Sequence, residues 1–209
     1  MGIPASGKNI FPSNIQGMPT WYTIRISEKG YFARVEKSEI VVAMNPATLV
    51  KEMESVLPGG VFFYTDDLTL PSQRDDITIY PMAVKKIMKE SEIPTNLRTY
   101  IANMVYVGVV AQMLNISLDA ISEAIDFHFG GKQSAVESNF AVIKRAAEWA
   151  EQNLVKNDPF YVVPSDKTKD WIMADGNTAG AIGSIFGGIQ LTAWYPITPA
   201  SSLRSERYP

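Results

Sequence analysis

The chain has 209 residues, 46% hydrophobic and 20% charged, with a net charge of −3; that is enough apolar material to bury the core of a medium domain. The acidic balance argues against nucleic acid, whose phosphates call for a basic excess. The lack of cysteine excludes disulfides, zinc ribbons and any cysteine-ligated iron–sulfur cluster on this chain, and the single histidine, His128, excludes a histidine-rich metal centre. The longest apolar run, Met104 to Leu114, is too short to span a bilayer. Met1-Gly2-Ile3-Pro4 does not open a signal peptide, so the expectation is a soluble cytoplasmic protein.

In chain order, the first candidate is a decoy. Gly2 to Asn9, GIPASGKN, nearly spells the phosphate-cradling loop G-x-x-x-x-G-K-[ST]. Asn9 brings no hydroxyl for magnesium, no strand can precede Gly2, and Pro12 interrupts the helix that should follow. Residues 19–35 read as two strands joined at Glu28-Lys29-Gly30, with Tyr22, Ile24 and Ile26 alternating against polar neighbours. Residues 39–65 read as strand–helix–strand. Ile40 to Met44 is a continuous apolar run, as in a parallel strand buried on both faces. Asn45 is the expected helix cap with Pro46 at the first helical position, where a missing N–H costs nothing. Pro58-Gly59-Gly60 should end that helix, and Val61 to Tyr64 and Ile77 to Pro81 should be the next two strands, joined by right-handed crossovers.

From Pro94 to Leu154 apolar residues recur at helical spacing through Leu97, Ile101, Met104, Val105 and Gly108, then through Leu118, Ile121, Ile125 and Phe129. Ser117 is the expected cap of the second of these helices, and a third runs from about Gln133 to Asn153. Phe160 to Lys169 reads as a linker. A second unit follows, with a helix starting at Asp175-Gly176-Asn177, a break at Gly187-Gly188 and a strand ending at Tyr195. The carboxylate pairs Asp66-Asp67 and Asp75-Asp76 fall in a loop, where solvation is the default. His128 sits at a helix end, where bonding a nearby carbonyl is its simplest role, and no second acid or base nearby completes a triad. On these grounds alone the sequence describes an α/β scaffold without visible chemistry.

The closing stretch WYPITPASS, Trp194 to Ser202, is the exception. Pro196 and Pro199 stiffen a turn and so lower the entropy cost of holding the Thr198 hydroxyl toward a ligand. Thr198 could equally cap a following helix, and both roles can coexist because a helix N-terminus favours a carboxylate.

Two separated stretches carry a resemblance. NIFPSNIQGMPTWYTIRIS, Asn9 to Ser27, resembles the signature of the gamma domain of 2-oxoacid:ferredoxin oxidoreductases, and NMVYVGVV, Asn103 to Val110, fits the same pattern. GNTAGAIGSIFGGIQLTAWYPITPASS resembles the opening of the alpha-subunit domain that binds the pyrimidine half of thiamine diphosphate. The order of the two is that of fused alpha subunits in this family. The resemblance implies an α/β fold: a Rossmann-like sheet with flanking helices, then an incomplete thiamine-diphosphate pyrimidine-type α/β segment. It implies a gamma-type domain over 1–160 lacking its first strand and helix, a linker over 161–170, and the truncated opening of the pyrimidine-binding domain over 171–209. Residues before Asn9 then stand at the end of a helix, and the tail LRSERYP departs from the family's pattern. Gln16 stands where many gamma domains have arginine.

The activity implied is oxidative decarboxylation of a 2-oxoacid to an acyl-coenzyme A with electron transfer to ferredoxin, by an oligomeric complex in which this chain alone is inactive and holds no catalytic residue. Thr198 matches the family's threonine that hydrogen-bonds the substrate carboxylate, with Pro196 and Ile197 beside it as substrate-binding residues. Thiamine diphosphate, Mg2+ and an iron–sulfur cluster belong to the full complex, with coenzyme A as co-substrate. The implied partners are the beta subunit, ferredoxin and the 2-oxoacid, with no nucleic acid and no membrane. A non-catalytic scaffold for subunit interaction is the other reading of the same residues.

Overall fold

In the computed structural model, which describes residues 1–11, 19–91, 93–195 and 197, the first regular element is a strand, β1 (Ala5–Ile10). The near-phosphate-loop sequence and the expected helix end are therefore both extended backbone. The next strand, β2 (Trp21–Ile26), pairs antiparallel with β1, from Ala5 opposite Ile26 to Ile10 opposite Trp21. This corrects the expected hairpin over 19–35. The chain does turn after β2, with Gly30 at φ 72° and its N–H on the Ser27 carbonyl at 3.0 Å, but residues 31–35 form no strand. Instead the Arg25 guanidinium reaches the Ala33 carbonyl and stands 5.7 Å from the Tyr31 ring centroid.

A parallel sheet follows. β3 (Ser38–Ala43) leads to a short helix, α1 (Leu49–Glu54), and then to β4 (Val56–Thr65) and β5 (Thr78–Met82), in the order β3-β4-β5. Two boundaries differ from expectation. Asn45 does not cap α1; its Oδ1 accepts from the Ala47 N–H at 2.9 Å, making a local turn that delays the helix, and Thr48 holds the cap position. Pro58-Gly59-Gly60 does not end α1 but lies within β4 as a bulge, where Gly59 takes φ 78° and Gly60 leaves room for the Glu39 carbonyl. The carboxyl end of α1 is instead held by Arg74, whose guanidinium donates to the carbonyls of Met53 at 2.7 Å and Val56 at 3.1 Å while gripping the Asp76 carboxylate with two nitrogens. Asp76 is thus paired rather than merely solvated.

The central strand explains the layering. Val61, Phe62 and Phe63 are each 0% exposed, so successive side chains pointing to opposite faces are all covered. Phe62 packs with Ala43, Leu49, Met53 and Val56 on the α1 side. Val61 and Phe63 join Tyr80 and Met82 on the other side, beneath helices of the following segment. Those helices are α2 (Val84–Glu90), which the sequence reading did not anticipate, then α3 (Thr95–Ile101), α4 (Asn103–Leu114), α5 (Leu118–Phe129) and α6 (Gln133–Asn153). Ser117 caps α5 as expected, its Oγ accepting from the Ala120 N–H at 3.3 Å. In α6 the buried set Val136, Asn139, Val142, Ile143, Ala146, Ala147 and Ala150 makes one helical stripe. It lies so close to α4 that a Cβ added at Gly108 would come within 2.3 Å of the Ile143 carbonyl oxygen.

After α6 the chain is tied back onto this unit. Asp158, whose side chain is 1% exposed, accepts from the Tyr80 hydroxyl at 2.8 Å, the Lys156 ammonium at 2.7 Å and the Phe160 N–H at 2.9 Å. Tyr80 in turn accepts from the Asn157 N–H at 2.7 Å, so the network is closed. Further along, the Val162 N–H donates to the Leu114 carbonyl at 2.7 Å, the Ser165 N–H to the Met1 carbonyl at 2.9 Å, and Lys167 pairs with Glu28 at 2.8 Å. The stretch expected as a linker is thus anchored at several points. Met1–Lys167 form one compact unit, and a second begins at Thr168. Among the described residues of the second unit the regular element is α7 (Gly176–Phe186), which starts as expected at Asp175-Gly176-Asn177; Asp175 caps it, its Oδ1 accepting from the Thr178 N–H at 2.7 Å. The expected Gly187-Gly188 break is present, with Gly188 at φ 79°. The strand expected up to Tyr195 is not formed, since residues 189–195 find no ladder partner among the described residues. No helix among the described residues is long and apolar enough to cross a membrane.

Two substitutions test this packing. Gly108→Ala should lower stability by about 1–3 kcal/mol in urea unfolding, because the added methyl overfills the α4–α6 contact. Burial alone would raise the Asp158 carboxyl, but the bonds from Lys156, Tyr80 and the Phe160 N–H outweigh it and hold the group below its ordinary 3.8. A lowered folded value means stability that is complete above pH 3.8 and is lost as pH falls through the folded value. Asp158→Ala should therefore cost about 2–4 kcal/mol at neutral pH and flatten the acid limb of the stability–pH curve.

Candidate functional site

In an open α/β sheet ligands bind beyond the carboxyl ends of the strands. There β4 ends at Thr65, 5% exposed, whose hydroxyl donates to Asp67, with the buried Tyr106 of α4 nearby. Lys85, in the first turn of α2, pairs with the other Asp67 oxygen at 2.8 Å. The Asp66 N–H donates to the Met82 carbonyl at 3.0 Å, which joins the ends of β4 and β5. The sequence reading left Asp66-Asp67 to solvent; the signal that could have found the cluster is the pair of parallel strands ending at Thr65 and Met82, which must deliver their loops to one edge.

The electrostatics of this edge make it a clasp. The hydrogen bond from Lys85, and then that from Thr65, hold the Asp67 carboxyl below its ordinary range despite some burial. Asp67 in turn raises Lys85, chiefly through the same hydrogen bond. Burial pushes the Tyr106 phenol up. All three groups thus keep their neutral-pH charge states and are poor proton carriers near pH 7. Their chemistry is to fix the loop geometry at the carboxyl edge.

The sequence-predicted site residues are distributed differently. Thr198 and Pro196 lie outside the described residues, as does Gln16. Ile197 is 59% exposed, with its N–H on the Tyr195 carbonyl at 2.8 Å. His128 is exposed in the last turn of α5 with its ring edge-on to Phe129, the centroids 5.1 Å apart, rather than bonded to a carbonyl. Asp75 is exposed, beside the Arg74–Asp76 pair. Among the described residues no three His, Asp or Glu side chains gather to hold a metal ion, and the chain has no cysteine.

A keto/oxoacid ferredoxin oxidoreductase gamma subunit from Geobacter sulfurreducens shares the fold, with a TM-score of 0.56 and 18% identity over 72% of this chain and 82% of that one. Residues 1–149 match the pyruvate ferredoxin/flavodoxin oxidoreductase family, and the chain belongs to it. The 2-oxoacid:ferredoxin oxidoreductase 1 alpha subunit of Sulfurisphaera tokodaii is 24% identical over 93% of this chain and 36% of its own length. A solved 2-oxoglutarate:ferredoxin oxidoreductase from Magnetococcus marinus, with 2-oxoglutarate, coenzyme A and succinyl-CoA bound, superposes with a TM-score of 0.83 and 27% identity over 97% of this chain and 35% of its own. The chain thus spans about a third of the length of these relatives.

The clasp is testable. Thr65→Val keeps the shape but leaves Asp67 short of one hydrogen bond, and should lower stability by about 1–3 kcal/mol at neutral pH in urea unfolding.

Proposed function

We propose that the chain is part of a 2-oxoacid:ferredoxin oxidoreductase, which decarboxylates a 2-oxoacid, joins the acyl group to coenzyme A and passes two electrons to ferredoxin. The observation that carries this reading is the likeness to an oxoglutarate-, coenzyme A- and succinyl-CoA-bound oxidoreductase over 97% of the chain. Residues 1–160 are assigned as its gamma-type domain, 161–170 as the connection and 171–209 as the opening of the pyrimidine-binding domain. Thiamine diphosphate with Mg2+ supplies the decarboxylation chemistry in the full complex, and an iron–sulfur cluster outside this chain carries the electrons.

Within that reading, the Thr198 hydroxyl donates to the substrate carboxylate. Pro196 and Pro199 narrow the conformations of the turn, so that little entropy is lost when the hydroxyl is held. Ile197 stands between them and offers an apolar contact beside the carboxylate. Unit 1, Met1–Lys167, provides a surface for the other parts of the complex, including a beta subunit.

The experiment is 2-oxoacid- and coenzyme A-dependent reduction of ferredoxin by the chain assembled with its companion subunits. Thr198→Ala should raise the KM for the 2-oxoacid by about tenfold, the loss of one charge-assisted hydrogen bond. Thr198→Ser should restore most of it. Equal activity when residues 1–165 are removed would sink the assignment and favour a scaffold role.

A further inference from the structure

We draw no further inference here: the strongest candidate, the apolar cleft of about 390 Å³ between α4 and α5, lined by Met104, Val107, Ile121, Ile125 and Phe129 with Ile143 of α6, is an unpartnered apolar surface, and nothing in the structure shows what covers it.

Discussion

Burial of β4 on both faces is the constraint from which the arrangement of the first unit follows. Val61, Phe62 and Phe63 are adjacent in sequence, so they alternate sides, and none is exposed. Such a strand requires a strand on each flank and a helical layer on each face. β3 and β5 supply the flanks; α1 covers one face, and α2, α4 and α6 cover the other. The length of α1 is set by this demand, since Leu49 and Met53 are its two buried contacts and the helix ends one residue after the second. The polar groups at the strand ends then have little freedom. Thr65, Asp67 and Lys85 satisfy one another because the core beneath them holds their backbones in place.

What the residues disclosed in advance was the part governed by local periodicity. The apolar runs of β3 and β5, the stripes of α4 through α6, the Ser117 cap and the start of α7 depend on neighbours within a few positions. Three errors share a different cause. β2 was matched to the segment after its turn, but its partner is β1, in a stretch that imitates a phosphate loop; pairing between separated strands is a tertiary choice. Asn45 was given the helix because its side chain suits a cap, yet it bonds Ala47 first. Residues 189–195 have strand composition and no strand to join. A ladder is made by two partners, and one sequence segment reports only one of them.

The candidate site divides in the same way. The proposed motif around Thr198 rests on a local signature, Pro-x-x-Pro with a hydroxyl, of which Ile197 is the described member. The carboxyl-edge clasp was not visible, because Asp67, Lys85 and Tyr106 are distant in sequence and meet only once the sheet is built. The Tyr22–Ile24–Ile26 strip lies between these cases. Its alternation was legible in the residues, and the structure adds that these apolar side chains are exposed.

The backbone bond between Ser165 and Met1 joins the start of the first unit to the segment by which the chain leaves it. Two stretches far apart in sequence are therefore held at one corner of the unit, the Ser165 hydroxyl donating to the Gly2 carbonyl beside the backbone bond. Residues that would otherwise fray are fastened where the chain passes out of the packed core, so loosening either stretch also loosens the other.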